Sequence, residues 1–487
     1  MKKAELVFVP FPFWSHLTPT IEFAKLLVSH DDRLHITMLI SRVPFDATFV
    51  AYIDSLVASS PMSDCIDFVS LPCDYVFAPE TNHNVAMTLL MDHQKTHVKN
   101  AVTKLIQAHG DKSPRLAGFV VDQLCSAMVD VANGFRVPTY VFFTVSAGFV
   151  SLMFHLQTLR DEEFAELTNS PDAELQLPSF VNSVPARILP EAVLDKAASQ
   201  LFLNNYRKVR DQAKGIIVNT FFELESGAIQ FLSDDKFPTV YPVGPAVKLI
   251  VGGDDDLVGS RGNNQKSEII AWLDDQPASS VVFLCFGNVG SFGDCQLKEI
   301  ARALESSGMR FLWSLRKRPS SGQDVLPSGY TDFTEVLDKE FFDRTAAIGK
   351  IIGWAPQVAI LAHPAIGGFV SHCGWNSVLE SLRLGVPIAT WPLYAEQQFN
   401  AFELVKELGV AVEIKLDYVM DFKSEKDPTV VSAQVMEATI RRLLEHDSDV
   451  RKRVKDISEK SKKALMDGGS SHTVLNGLIN DVIDSMP

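Results

Sequence analysis

The sequence predicts an α/β protein made of two doubly wound domains, each a parallel sheet covered by helices on both faces. Three observations lead there. Short runs rich in β-branched and aromatic residues alternate with longer segments at helical spacing; the runs fall into two series; and a stretch almost free of bulky apolar residues parts the series. Strands that are apolar nearly throughout, and not only at alternate positions, belong to sheets buried on both sides. A chain of 487 residues has room for two to four domains at roughly 100–200 residues each.

In the first series, strands are expected at Leu6 to Phe11, His35 to Ile40, Ile66 to Leu71, Gly118 to Gln123, Thr139 to Phe143 and Gly215 to Asn219, with helical segments between them such as those from Ile21 and Val98. The second series holds Val281 to Phe286, Arg310 to Leu315, Lys350 to Trp354, Gly368 to His372, Pro387 to Trp391 and Val410 to Ile414. Between them VGGDDDLVGSRGNNQK, from Val251 to Lys266, reads as a linker. The expected division is therefore a first domain over 1–246, a linker over 247–266 and a second domain over 267–469. From Ser432 onward the pattern is helical, with Met436, Ile440 and Leu443 on one face and a basic, solvated stretch from Arg451 to Lys463.

Charge and composition exclude several partners. With 45 Lys+Arg against 60 Asp+Glu, the formal charge of −15 repels phosphate backbones and anionic lipid, so neither a nucleic-acid partner nor stable membrane insertion is expected. The apolar stretch from Val137 to Phe154 is broken by Thr139, Thr144, Ser146 and Ser151. Six cysteines without a C-x-x-C pair read as reduced, buried thiols, and MKKAELVFVPFPFW lacks the apolar core and cleavage site of a secretory leader. A cytoplasmic monomer is the expectation.

In open parallel sheets, ligands bind beyond the carboxyl ends of the strands. Three such places carry chemistry. In PFPFWSHLTP, His16 follows the first strand, ahead of a helix for which Thr18 is the expected cap and Pro19 the first residue. Asp122 closes the run GFVVD, where a carboxylate is costly unless paired or exposed; it reads either as the partner that fixes the tautomer of a histidine base or as a plain cap for the following helix.

The third place is the densest. His372 ends a strand, Gly374 permits a turn, and a helix starting near Trp375 offers its N-terminus, with Asn376 and Ser377, to an anion such as a diphosphate. One turn on, Glu380 can accept from a ribose diol. Trp354 and Pro356 supply a flat surface for a base, Gln357 an amide for its edge, and Glu396 and Gln397 suit sugar hydroxyls.

The segment from Trp354 to Gln397 resembles the donor-binding box of the plant secondary-product (family 1) UDP-dependent glycosyltransferases, and the resemblance runs over essentially the whole chain, including the PFPxxxH start, Asp122 and PVGP at Pro242 to Pro245. It implies the GT-B architecture of two facing Rossmann-like domains, with the last helix, about 470–487, crossing back to the first. It also implies roles. His16 would be the base that deprotonates an acceptor hydroxyl and Asp122 its orienting partner. Trp354, Gln357, His372, Trp375, Asn376, Ser377 and Glu380 would bind UDP, with Asn288 at a phosphate-side turn. Glu396, Gln397 and Thr144 would meet the sugar. The donor expected is UDP-glucose, because Gln397 ends the box, and the expected reaction is inverting transfer to a small phenolic or terpenoid acceptor.

Two departures stand out: Ser15-His16 where many relatives have Gly-His, and Phe286-Gly287-Asn288 where the family usually has Phe-Gly-Ser. Phe13, Trp14, Phe143 and Tyr394 adjoin strand ends and are candidates for an apolar acceptor pocket. No metal or other cofactor is expected, since no D-x-D-like pattern closes a strand and the Asp254 to Asp256 run lies in the linker. A dinucleotide oxidoreductase is disfavoured because the glycines run Gly287, Gly290, Gly293 and the next strand ends at Arg316. A non-catalytic UDP-sugar binder is the remaining alternative.

Overall fold

The computed structural model describes residues 3–43, 47–58, 65–72, 74–75, 83–108, 114–248, 260–319, 327–421 and 429–486. The chain divides into two compact units, one formed by Met1–Ala186, Glu191–Lys248 and Ser461–Pro487, the other by Arg187–Pro190 and Leu249–Lys460. Each has its own parallel sheet, the two-sheet α/β architecture of GT-B enzymes.

The first unit contains β1 (Ala4–Val9), β2 (Leu34–Ser41), β3 (Ile66–Leu71), β4 (Arg115–Asp122), β5 (Thr139–Phe143), a small antiparallel pair β6 (Glu174–Leu175) and β7 (Val184–Pro185), then β8 (Gly215–Val218) and β9 (Thr239–Pro242). Its main sheet has the order β3-β2-β1-β4-β5-β8-β9, reversing direction at β1. The second unit holds β10 (Val281–Cys285), β11 (Arg310–Ser314), β12 (Gly349–Ile352), β13 (Ile366–Ser371), β14 (Ile388–Thr390) and β15 (Ala411–Glu413), in the order β12-β11-β10-β13-β14-β15. Here the reversal falls between β10 and β13, whose carboxyl ends lead into Gly287 and His372. Each expected strand forms, β3 and β5 with the bounds expected and the others with ends shifted by up to three residues. β9 was not expected: its Pro242 cannot donate a ladder bond, which suits only the sheet edge it occupies.

Aromatic and aliphatic side chains fill both units. Phe142 on β5 stacks on Phe23 at 4.9 Å, and Phe286, Phe292 and Trp391 form one cluster in the second unit. Among the described residues, no helix is long and apolar enough to cross a membrane.

Two expectations need correction. The first helix is Trp14–His30, so Pro19 lies inside it and Thr18 is not its cap. The Phe13 carbonyl accepts from both His16 N and Leu17 N, which starts the helix before Pro19 is reached; Pro19 forfeits a single bond. Of the expected linker 247–266, residues 249–259 lie outside the described residues, and 260–266 belong to the helix Ser260–Asp274. Gly262, Asn263 and Asn264 are poor helix formers, but Ile269 and Leu273 bury fully on the same helix, and packing outweighs propensity.

The C-terminal helix Ser470–Asp484 belongs to the first unit. Leu478 and Ile479 line a small apolar cavity with Leu6, Val120, Tyr140 and Ile217. Ser471 Oγ donates to Gly244 O at 2.6 Å, and the Tyr241 hydroxyl donates to Asp481. Asn219 holds the same segment by pairing both ways with the Ala246 backbone, at 2.7 and 3.2 Å, so PVGP is a docking strap and not only a turn. Leu478→Ala deletes buried volume beside an existing void and should lower stability by about 2–5 kcal/mol, read as a reduced urea midpoint; an unchanged midpoint would mean that the helix does not pack on this sheet.

Candidate functional site

In the first unit, polar side chains gather where β1, β4 and β5 end. His16, in the first turn of the helix Trp14–His30, places Nδ1 2.8 Å from Asp122 Oδ2; the two side chains are 15% and 0% exposed. The other Asp122 oxygen accepts from Leu124 N at 2.9 Å. Each Asp122 oxygen thus has its own partner: Oδ1 caps the turn Gln123–Met128 and Oδ2 faces the imidazole. A buried carboxylate at Nδ1 selects the Nδ1–H tautomer and puts the lone pair on Nε2, the nitrogen able to accept a proton. The Thr144 hydroxyl, just past β5, lies 3.2 Å from the same Nδ1, and Thr144 N donates to Gln123 Oε1. Sequence reasoning assigned Thr144 to the sugar and had no signal for this contact, which joins residues 128 apart.

The expected aromatic pocket separates into different environments. Phe143 is fully buried against Tyr206, because β5 is an interior strand covered on both faces; it is core and not a pocket wall. Phe13 and Trp14 stay partly exposed, the first stacked on Phe11 and the second on Tyr52 at 4.8 Å with Phe49 edge-on. Tyr394 is partly buried against the core of the second unit.

In the second unit the expected donor residues lie after β10, β12, β13 and β14. Trp354 leaves 40% of its surface exposed, an unusual state for an indole, and offers a face to a planar ligand. Gln357 begins the helix Gln357–Leu361, and its Nε2 donates to Glu380 Oε2 at 2.7 Å and Ser377 Oγ at 2.8 Å. Three residues assigned to one ligand thus pair with one another. Burial pushes the Glu380 carboxyl up to about 7, the Gln357 amide opposing it.

His372 is buried at 6% exposure, its Nδ1 without a hydrogen-bond partner, and burial pushes its imidazole down to about 4. Without ligand it is therefore uncharged at neutral pH. Gly287 and Gly374 flank it: a Cβ on either would sit 2.7 or 2.6 Å from Nε2, so the ring fits only between glycines. The chain then turns at Cys373, whose φ of 64° is left-handed, and enters the helix Trp375–Arg383. Asn400 Nδ2 donates to Cys373 O at 2.9 Å and holds that peptide. Sequence reasoning missed Asn400; its place just past the box was the available clue. The positive pole of the Trp375–Arg383 helix and its first-turn amides lie beside His372, a suitable setting for an anion. Asn376 is partly exposed, Ser377 is nearly buried, and the Trp375 ring is 2% exposed, so Trp375 has only its backbone to offer a ligand.

Gln397 Oε1 accepts from both Leu393 N and Tyr394 N, at 2.9 and 3.1 Å, which leaves its NH₂ as the group for a ligand. Glu396 is partly exposed and follows Ala395, another non-glycine residue at positive φ. Asn288 is exposed on the turn after β10.

Known proteins resemble this chain in sequence and fold. A family model described as UDP-glucoronosyl and UDP-glucosyl transferase matches residues 200–426. A UDP-glucose flavonoid 3-O-glucosyltransferase 6 from Fragaria ananassa is 51% identical over 99% of both chains, and UDP-glycosyltransferase 71A15 from Malus domestica is 51% identical over 99% of this chain and 100% of its own. Among solved structures, a UGT transferase from Siraitia grosvenorii in complex with UDP superposes with a TM-score of 0.86 at 45% identity, covering 99% of this chain and 100% of that one. UGT71G1 from Medicago truncatula, complexed with UDP-glucose, gives 0.84 at 38% identity, with 99% and 98% covered.

The raised pKa of Glu380 carries a sign that can be measured. A carboxyl whose folded value lies above its unfolded one contributes stability that is complete below the ordinary carboxylate range and is lost as pH rises through about 7. Glu380→Gln should therefore gain on the parent protein in thermal midpoint as pH rises from about 5 to about 8; a difference that stays constant with pH would show that Glu380 is not the titrating group.

Proposed function

Because this chain belongs to the UDP-glucoronosyl and UDP-glucosyl transferase family, and is thus a UDP-dependent glycosyltransferase, we propose that it transfers glucose from UDP-glucose, with inversion, to a hydroxyl of a small phenolic or terpenoid acceptor. The named flavonoid glucosyltransferase relatives favour the phenolic class. The observation that carries the catalytic part is the 2.8 Å contact between His16 Nδ1 and a fully buried carboxylate, which readies Nε2 to receive the acceptor proton. In a single displacement the acceptor oxygen bonds to the anomeric carbon as the carbon–phosphate-oxygen bond breaks. The proton passes to His16, and the leaving electron pair to UDP.

In the donor half this reading uses oriented hydrogen-bond donors. His372 gives an N–H, the Trp375–Arg383 helix gives its positive pole, and Ser377 and Asn376 give side-chain donors for the diphosphate. Trp354 stacks on the uracil. Glu380 takes the ribose diol, and Gln357, which holds Glu380 in the absence of ligand, turns toward the base. The Gln397 amide donates to the sugar while Glu396 accepts. With charge dispersed in this way, the reaction needs no divalent cation, and transfer in excess chelator is expected to run at the same rate. None of the five described cysteines is in a disulfide, as suits a cytoplasmic enzyme.

The test is a panel of phenols and terpenoid alcohols with UDP-glucose, UDP-galactose and UDP-glucuronic acid, read as kcat/KM; a higher value for either rival donor overturns the glucose assignment. His16→Ala should abolish transfer and leave UDP affinity unchanged in calorimetry, because the two groups belong to different units. Asp122→Asn, which weakens the hold on the Nδ1–H tautomer, should lower kcat strongly as well; a wild-type rate in either variant removes the dyad from the mechanism. Asn288→Ser, which restores the small hydroxyl usual in the family, should tighten UDP-glucose by about 0.5–1.5 kcal/mol, one hydrogen bond at most. Reduced activity at saturating donor would instead make Asn288 an adapted ligand.

A further inference from the structure

A cluster in the first unit serves none of the chemistry above. His93 and His97 lie four residues apart on the helix His83–Ala108 and so project from one face. Both turn Nε2 toward Asp74, in the segment after β3: Oδ1 lies 2.7 Å from His93 Nε2 and 3.0 Å from His97 Nε2, and the three ligand-capable atoms fall within 4.8 Å of one another. His93 and Asp74 are 41% and 64% exposed and His97 22%, so an ion can reach them from solvent.

The cluster is braced. Gln94, fully buried between the two histidines in sequence, donates from Nε2 to Pro72 O at 3.1 Å and fixes the backbone two residues before Asp74. Tyr75 packs its ring 5.7 Å from that of His93.

We propose that Asp74, His93 and His97 form a surface site for one divalent transition-metal ion, zinc in the first instance, which fastens the segment after β3 onto the helix His83–Ala108. Two imidazoles and a carboxylate, with water in the fourth position, are a zinc-type donor set; the hard, oxygen-seeking ions calcium and magnesium are poorly served by it. Tetrahedral bonds of about 2.0–2.1 Å place ligand atoms about 3.3 Å apart, so the carboxylate retreats from each imidazole by a few tenths of an ångström while the two imidazole nitrogens, within 4.8 Å of each other, settle to the same spacing. Coordination through Nε2 replaces the hydrogen bonds to Asp74: each imidazole moves its proton to Nδ1 through solvent, and the ion takes the two freed lone pairs and one carboxylate oxygen. The helical spacing of the histidines is written in the sequence, but Asp74 joins them only through the fold.

The test is calorimetric titration of the chelator-treated full chain with zinc chloride, with thermal denaturation alongside. One ion should bind with micromolar affinity and raise the midpoint. His97→Gln and Asp74→Asn should each weaken binding by about tenfold or more, since even residues that only orient a ligand cost that much, and Cys295→Ser, which removes an exposed thiol elsewhere, should leave binding unchanged. Copper(II) titration read by electron paramagnetic resonance should show two imidazole nitrogens. The proposal fails if the His93→Gln/His97→Gln double variant binds zinc as the parent does, if Cys295→Ser abolishes binding, or if the parent binds no zinc in this range.

Discussion

Strands covered on both faces admit few polar side chains along their length, and those they admit need a partner, as Glu5 on β1 has in His35 on β2; that constraint organises this molecule. The polar groups that chemistry needs must stand where a strand stops being covered, at its carboxyl end. Asp122 is the last residue of β4, Thr144 follows β5, and His372 follows β13. The same burial that forces them there makes them effective. Asp122, fully buried, has two good partners and little water to compete with them, so it can hold His16 in a single tautomer.

The donor half shows what the constraint costs. The packing that fixes His372 between Gly287 and Gly374 also strips its water and, without ligand, keeps it neutral. In the proposed donor site, charge stabilisation draws on oriented dipoles: the helix end, the amides and hydroxyls, and the imidazole. Such groups need no reorganisation when UDP departs, provided their geometry is held. The holding parts are modest ones: Asn400 on the Cys373 carbonyl, Ser371 Oγ accepting from Cys373 N, and Gln397 across the Leu393–Tyr394 turn. Left-handed backbone at Cys373 and Ala395, neither a glycine, marks where that order is imposed on the chain.

Gln357, Ser377 and Glu380 illustrate a related economy. Without ligand a partly buried carboxyl near neutrality would lack a donor, and Gln357 supplies one. The residues proposed to receive the nucleotide thus satisfy one another without it. On that proposal binding is an exchange of hydrogen bonds between the same groups, with less desolvation left to overcome.

The sequence by itself determined the two sheets, because continuous apolar runs leave a strand no exposed face, and it determined which residues stand at the strand ends, because glycine, proline and polar side chains interrupt those runs there. The family box from Trp354 to Gln397 was legible for the same reason: its residues are close in the chain, and their spacing is local geometry. Tertiary structure decided whatever depended on neighbours far along the chain. It moved Phe143 into the core, because only the sheet order reveals β5 as an interior strand, and it made a helix of 260–266 against weak propensities, because Ile269 and Leu273 had a surface to cover. It set Thr144 on His16, Asn400 on Cys373 and Asp74 on a histidine pair, contacts that no local pattern records, since the free energy of each is gained only when separate segments are brought together by the burial of the strands between them.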